Sequence, residues 1–206
     1  MRVLLVHGLG RTPLSLARLG AVLREAGHEP QFFAYLAFAE PYERIRRRLV
    51  ARLLELARRQ EPVALVGHSL GGLLLRHALP EAAQLAVHHL IMLGTPNQSP
   101  RRARLAVRWL PFRLFARSSG TVLASPEAFG RIPAPAVPTT VIAGTAGPRL
   151  LGRPFGGEAH DGFVAVSETR LPGGRELLLP VAHTFMMNDR RLHAEVLAIL
   201  ARDTGS

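Results

Sequence analysis

The chain has no cysteine and no lysine, only three aspartates and a single tryptophan, and no long uninterrupted apolar run. Each absence excludes something. Without cysteine there are no disulfides, no thiolate metal ligands and no cysteine nucleophile. Without an apolar stretch of about 18 residues, no membrane-spanning helix is expected. The three aspartates, Asp161, Asp189 and Asp203, leave few candidates for a role that needs that carboxylate. The 26 basic residues are all arginine and face 15 acidic ones, a formal net charge of +11. Such a balance invites a nucleic-acid reading. The arginines are spread through the chain, however, and no nucleic-acid motif accompanies them. A solvated arginine surface is the plainer account, and no nucleic-acid partner is expected.

What is present is ordinary globular sequence. The 206 residues are 48% hydrophobic and 20% charged, with a mean hydropathy of +0.14. This suits one domain, residues 1–206, with one sizeable core. The opening Met-Arg-Val-Leu-Leu-Val-His-Gly is too short for the apolar core of a signal peptide and reads as a first strand. A cytoplasmic protein is therefore expected, or a secreted one whose leader has been removed. Apolar runs predict strands at residues 3–6, 31–34, 63–66, 89–93, 139–143 and 176–179. Helical periods fall between them, over 14–26, from Pro41 through Leu56, from Ser69 to Leu79 with a stop at Pro80, and over 190–202. Strand and helix in alternation define an α/β fold: a mostly parallel sheet of about six strands with helices on both faces.

Residues 97–138 break that rhythm and are read as a helical, cap-like insertion, because they are long for a plain crossover. Six arginines, at 101, 102, 104, 108, 113 and 117, alternate there with Leu105, Val107, Trp109, Leu110, Phe112, Leu114 and Phe115. Three readings coexist. One is an amphipathic helix or two packed over the sheet edge. Another is a lid, fixed or mobile, offering an apolar wall in which Trp109, Phe112 and Phe115 line a substrate pocket. The third is a basic, aromatic-bearing helix that makes transient contact with a lipid surface.

The chemistry concentrates at Gly67-His68-Ser69-Leu70-Gly71-Gly72. This G-x-S-x-G sequence directly follows the apolar run Val63-Ala64-Leu65-Val66 and precedes the helix-forming Leu73-Leu74-Leu75. A serine in a sharp strand-to-helix turn is lifted above the sheet, and side chains flanking it would collide, hence the glycines. The helix starting beneath it aims its dipole at a developing oxyanion, with the Leu70 N–H as a natural donor.

On these residues the chain resembles the α/β-hydrolase family, in particular its small bacterial lipases and esterases. Val6-His7-Gly8-Leu9-Gly10-Arg11-Thr12 is similar to the family's oxyanion loop. The resemblance implies that the Leu9 N–H is the second oxyanion donor and that His7 shapes the loop rather than acting as a base. Leu93-Gly94-Thr95-Pro96 is also similar to the corresponding lipase loop. The family order of Ser, then Asp or Glu, then His points to Asp161, 92 residues after Ser69, in Asp161-Gly162-Phe163-Val164, which resembles the lipase acid loop. Glu158 or Glu168 is the alternative acid. His183, 22 residues further and after the last expected strand, is the implied base; His193 competes but lies at helical spacing. His68 is expected to support the turn, and His77, His88 and His89 to be structural.

The implied activity is hydrolysis of carboxylic esters (an esterase or lipase acting on a small-molecule ester or lipid) through Ser69, Asp161, His183 and an acyl-enzyme. Alternatives are acyl transfer, thioester or amide hydrolysis on the same groups, or a catalytically silent lipid-binding protein. No cofactor is expected, and no metal: the histidines lack ligand spacing.

Overall fold

Alternate residues of the central strands point to opposite sides of the sheet, and both sides are buried, which is why these strands read as unbroken apolar runs. The computed structural model describes residues 1–148, 150 and 153–202, so Asp203 lies outside the described residues. Its strands are β1 (Arg2–Val6), β2 (Glu29–Phe33), β3 (Val63–His68), β4 (Val87–Leu93), β5 (Thr139–Gly144) and β6 (Arg175–Leu179), in the spatial order β2-β1-β3-β4-β5-β6. The five strand pairings are parallel throughout, where the sequence reading asked only for mostly parallel.

Leu4, Val6, Leu65, Leu90, Met92 and Val141 face one side, under α2 (Tyr42–Ala57) and α3 (Leu70–Ala78). Val3, Leu5, Val66, Ile91, Leu93 and Ile142 face the other, under α1 (Ala17–Glu25) and α8 (Arg190–Arg202). The two apolar layers account for helices on both faces.

Two prolines shape the helix ends, the second of them against expectation. Pro13 opens a 3-10 turn, Pro13–Leu16, so that α1 begins only at Ala17. Pro80 does not stop the chain's helical course; α3 ends at Ala78 and a 3-10 turn, Leu79–Ala82, carries Pro80 in its first positions, where a missing N–H goes unnoticed. Residues 97–138 form three helices rather than one or two: α4 (Arg101–Ala106), α5 (Leu110–Ala124) and α6 (Pro126–Gly130). Arg117, at φ 45° and ψ −134°, kinks α5. The helix buries Ala116, Ser119, Gly120 and Leu123, and α4 buries none of its side chains. The Ser118 hydroxyl accepts a 2.8 Å bond from the Tyr42 N–H, tying α5 to the head of α2. A short helix, α7 (Val166–Thr169), precedes β6.

Candidate active site

Ligands of open α/β sheets gather beyond the carboxyl ends of the strands, where strand order reverses. Here the chain leaves β1 toward β2 and returns to the other flank of β1 as β3. The loop after β1 and the turn after β3 therefore emerge side by side, and the loops after β4, β5 and β6 complete the same rim.

Ser69 sits at φ 53° and ψ −120°, a conformation that strains a non-glycine residue by about 1–3 kcal/mol. The fold over-determines it: the Ser69 N–H donates to the Leu93 carbonyl at 2.9 Å, and the Ser69 carbonyl accepts from Gly72 N–H at 3.1 Å. The flanking glycines are steric necessities. A Cβ on Gly67 would enter the Gly71–Gly72 backbone, and one on Gly71 would strike the carbonyls of Val6 and His7. The β1 loop comes equally close, since a Cβ on Gly8 would stand 3.1 Å from Ser69 Cβ. Among the described residues, neither the Leu9 nor the Leu70 N–H has a backbone acceptor, and Leu70 opens α3.

Asp161 and His183 meet. His183 Nδ1 lies 2.6 Å from Asp161 Oδ2. The carboxylate can only accept, so Nδ1 carries the hydrogen and Nε2 is left as the basic nitrogen. The other carboxylate oxygen, Oδ1, accepts from the N–H groups of Phe163 (2.9 Å) and Val164 (2.8 Å). The His183 N–H donates to the Asp161 carbonyl at 2.9 Å, and both side chains are buried.

The competing residues are engaged elsewhere. His193 is buried in α8 with Nε2 bonded to the Met187 carbonyl at 2.8 Å. Asp189 grips Arg191, whose guanidinium pulls the carboxyl down to about 2. Glu158 accepts from Ser167 N–H and Glu168 from Ala165 N–H, while Arg101 bridges the two carboxylates at 2.6 and 2.9 Å. That ion network fastens α4 to the loop carrying Asp161. His77 bonds the Tyr42 hydroxyl and His89 the Thr140 hydroxyl.

His7 holds its loop. Its Nδ1–H donates to the Gly8 carbonyl at 3.0 Å, its ring stacks on Tyr35 at 4.1 Å, and burial lowers its pKa below the ordinary imidazole value. His68 is more deeply placed. Its Nε2–H donates to the His183 carbonyl at 3.1 Å, its Nδ1 is a buried atom without a partner, and its ring lies 4.8 Å from that of His183. Burial, reinforced by the neighbouring His183, drives its pKa well below the ordinary value.

A depressed imidazole binds its proton in the unfolded chain before it does so in the folded one. Its contribution is therefore complete above the ordinary imidazole range and is lost as pH falls, by at most about 1.4 kcal/mol per pH unit for each such group. Urea denaturation between pH 7 and pH 5 should show this slope, and His68→Gln should flatten it by one group's worth. An unchanged slope would mean that His68 titrates normally in the fold.

Ser69 and His183 open onto a cleft of about 520 Å³. The three expected contact residues, Trp109, Phe112 and Phe115, all line it, with Leu9 from the β1 loop. The sequence reading missed three further residues. The Arg11 guanidinium donates to the Thr184 carbonyl at 3.1 Å, joining the β1 loop to the chain behind His183. The Phe163 ring lies 5.2 Å from that of His183, and Arg102 lies 5.3 Å over the Phe163 ring. Arg11 and Phe163 stand inside the motifs already quoted, so adjacency was a usable signal; for Arg102 there was none.

Gly94, at φ +53°, passes close against Asp161 and His183. A Cβ there would stand 2.8 Å from Met186 Sδ and 3.1 Å from both Asp161 Oδ2 and His183 Nδ1. Gly94→Ala adds backbone strain to that crowding. It is expected to destabilise the fold by about 1–3 kcal/mol, measured by thermal melting.

The fold has counterparts. The sequence profile of the Alpha/beta hydrolase family matches residues 3–204, and the chain belongs to that family. No curated protein matches its sequence significantly. Among solved structures, the mature form of the Bacillus licheniformis lipase BlEst2 is similar over 97% of this chain and 91% of its own, with a TM-score of 0.82 at 17% identity. Tomato Methylketone Synthase I, complexed with 2-tridecanone, is similar over 98% of each chain, with a TM-score of 0.67 at 16% identity. The RedJ thioesterase of Streptomyces coelicolor covers 98% of this chain and 85% of its own, with a TM-score of 0.54 at 19% identity. At these identities the likeness is one of fold.

Proposed function

We propose that the protein is a carboxylic ester hydrolase in which Ser69 is the nucleophile, His183 the general base and Asp161 the acid that orients it. The observation that carries this reading is the 2.6 Å contact between His183 Nδ1 and Asp161 Oδ2, on the same apolar cleft as the strained Ser69. His183 Nε2 takes the Ser69 proton as Oγ attacks the ester carbonyl, and the Leu9 and Leu70 N–H groups hold the tetrahedral oxyanion. His183 then gives that proton to the departing alkoxide, leaving an acyl-serine. A water molecule, deprotonated by His183, attacks the acyl carbon, and the carboxylic acid leaves as Ser69 recovers its proton. No step calls for a cofactor.

An apolar wall of Leu9, Trp109, Phe112 and Phe115 favours an acyl chain as the part of the substrate held. In this reading α4 and α5 are the cap of a single-domain enzyme. The test is a chain-length series of nitrophenyl esters run beside matched thioesters and anilides, with fluorophosphonate labelling and peptide mapping. Preferred turnover of esters with label on Ser69 is expected. Preference for the thioester would move the substrate class without touching the nucleophile; label on another serine would overturn the assignment itself.

A further inference from the structure

The outer surface of α4 and α5 combines two features that usually exclude each other. Leu105, Trp109, Leu110 and Leu114 are 54%, 73%, 61% and 68% exposed. Arg104, Arg108, Arg113 and Arg117, also exposed, alternate with them. No aspartate or glutamate occurs between Glu81 and Glu127, so the segment itself carries charge of one sign. Leu105 and Trp109 line a shallow hollow with Leu150, and Trp109 also lines the catalytic cleft, which makes this surface continuous with its mouth.

We infer that this surface docks onto an anionic lipid bilayer, the arginines meeting headgroup phosphates while the leucines and Trp109 enter the boundary between headgroup and acyl chain. Charge complementarity selects the occupant. A second copy of the chain would bring arginines against arginines. A nucleic acid supplies phosphate but nothing to receive Leu105, Leu110 and Leu114, which offer no ring for a base to stack on. A bilayer with acidic headgroups supplies both the phosphate and the apolar layer. Among the described residues, no helix is long and apolar enough to cross a membrane. Each arginine near an anionic surface strengthens binding by roughly fivefold, and the effect weakens with salt.

Trp109 is the single tryptophan of the chain, so its emission reports on this surface and on the cleft mouth that it also lines. The experiment titrates the Ser69→Ala protein, which leaves the lipid intact, with vesicles of phosphatidylcholine or of equimolar phosphatidylcholine and phosphatidylglycerol. A blue shift of Trp109 is expected with the mixed vesicles, at an affinity at least tenfold above that for phosphatidylcholine alone and lost in high salt. Arg104→Gln, Arg108→Gln, Arg113→Gln and Arg117→Gln combined should abolish that preference, while in the Ser69 background the same four changes leave turnover of a soluble short ester unaltered. Absence of any shift, equal affinity for both vesicles, or a shift produced instead by single-stranded RNA would each overturn the inference. None of these readouts depends on ester turnover, so failure of the proposed activity is separately visible.

Discussion

Replacing Ser69 by alanine is expected to lower kcat for a nitrophenyl ester by on the order of 10⁵-fold or more, with KM nearly unchanged. The hydroxyl is the only group removed, and the strained turn it occupies is held by backbone bonds to the Leu93 carbonyl and from the Gly72 N–H that alanine keeps. The fold should accordingly survive, with a melting temperature close to that of the parent. Serine and histidine act as a unit in such sites, so His183→Ala should fall into the same range and the double variant little further. Turnover within tenfold of the parent in the alanine variant would remove Ser69 from the mechanism. The remaining contribution, binding and the Leu9 and Leu70 N–H groups, is what the residual rate would measure.

The turn that carries Ser69 was readable because several independent constraints converge on a few neighbours. The glycines at 67 and 71 are demanded by backbone closer than a side chain allows, and the apolar run before them by a strand buried on both faces. The same burial made β1, β3, β4 and β5 legible. It failed at their ends: hydrogen bonding in a parallel ladder continues through Arg2, His68 and Val87 after the apolar pattern has stopped. β2 shows the limit most clearly. It is an edge strand, only partly buried, that starts with Glu29 and Pro30, and its register comes from β1 rather than from its own residues.

The cap was legible as an interruption but not as a shape. Arg117 is an ordinary helix former, and its positive φ has no local sequence signal. The Arg101 network and the placement of Arg102 over Phe163 join residues about 60 positions apart. Helical periodicity carries no information at that distance. The meeting of Asp161 and His183 was legible for a different reason: the order implied by the family resemblance, set against a chain with three aspartates, pointed to that pair while leaving Glu158 and Glu168 as alternatives.

Asp161→Asn is expected to lower kcat by about 10⁴-fold while leaving the fold nearly as stable as before. The argument is geometric. Asp161 Oδ1 accepts two backbone N–H groups, from Phe163 and Val164, and an amide must present its oxygen to them, because its NH₂ would set donor against donor. The NH₂ group is then forced toward His183 Nδ1, 2.6 Å away in the parent. A donor at that position makes Nδ1 the accepting nitrogen and moves the ring hydrogen to Nε2, the atom that must take the Ser69 proton. The variant thus keeps its shape and holds the wrong tautomer. Asp161→Ala frees the ring from that bias at the cost of two unpaired buried N–H groups, so it should be less stable than the amide variant yet no less active. Ester turnover and melting temperature, measured on both variants, check the argument. An amide variant within tenfold of parent activity would mean that another carboxylate orients His183, and Glu158 and Glu168, held by Arg101 and by backbone N–H groups, would have to leave those partners to do it.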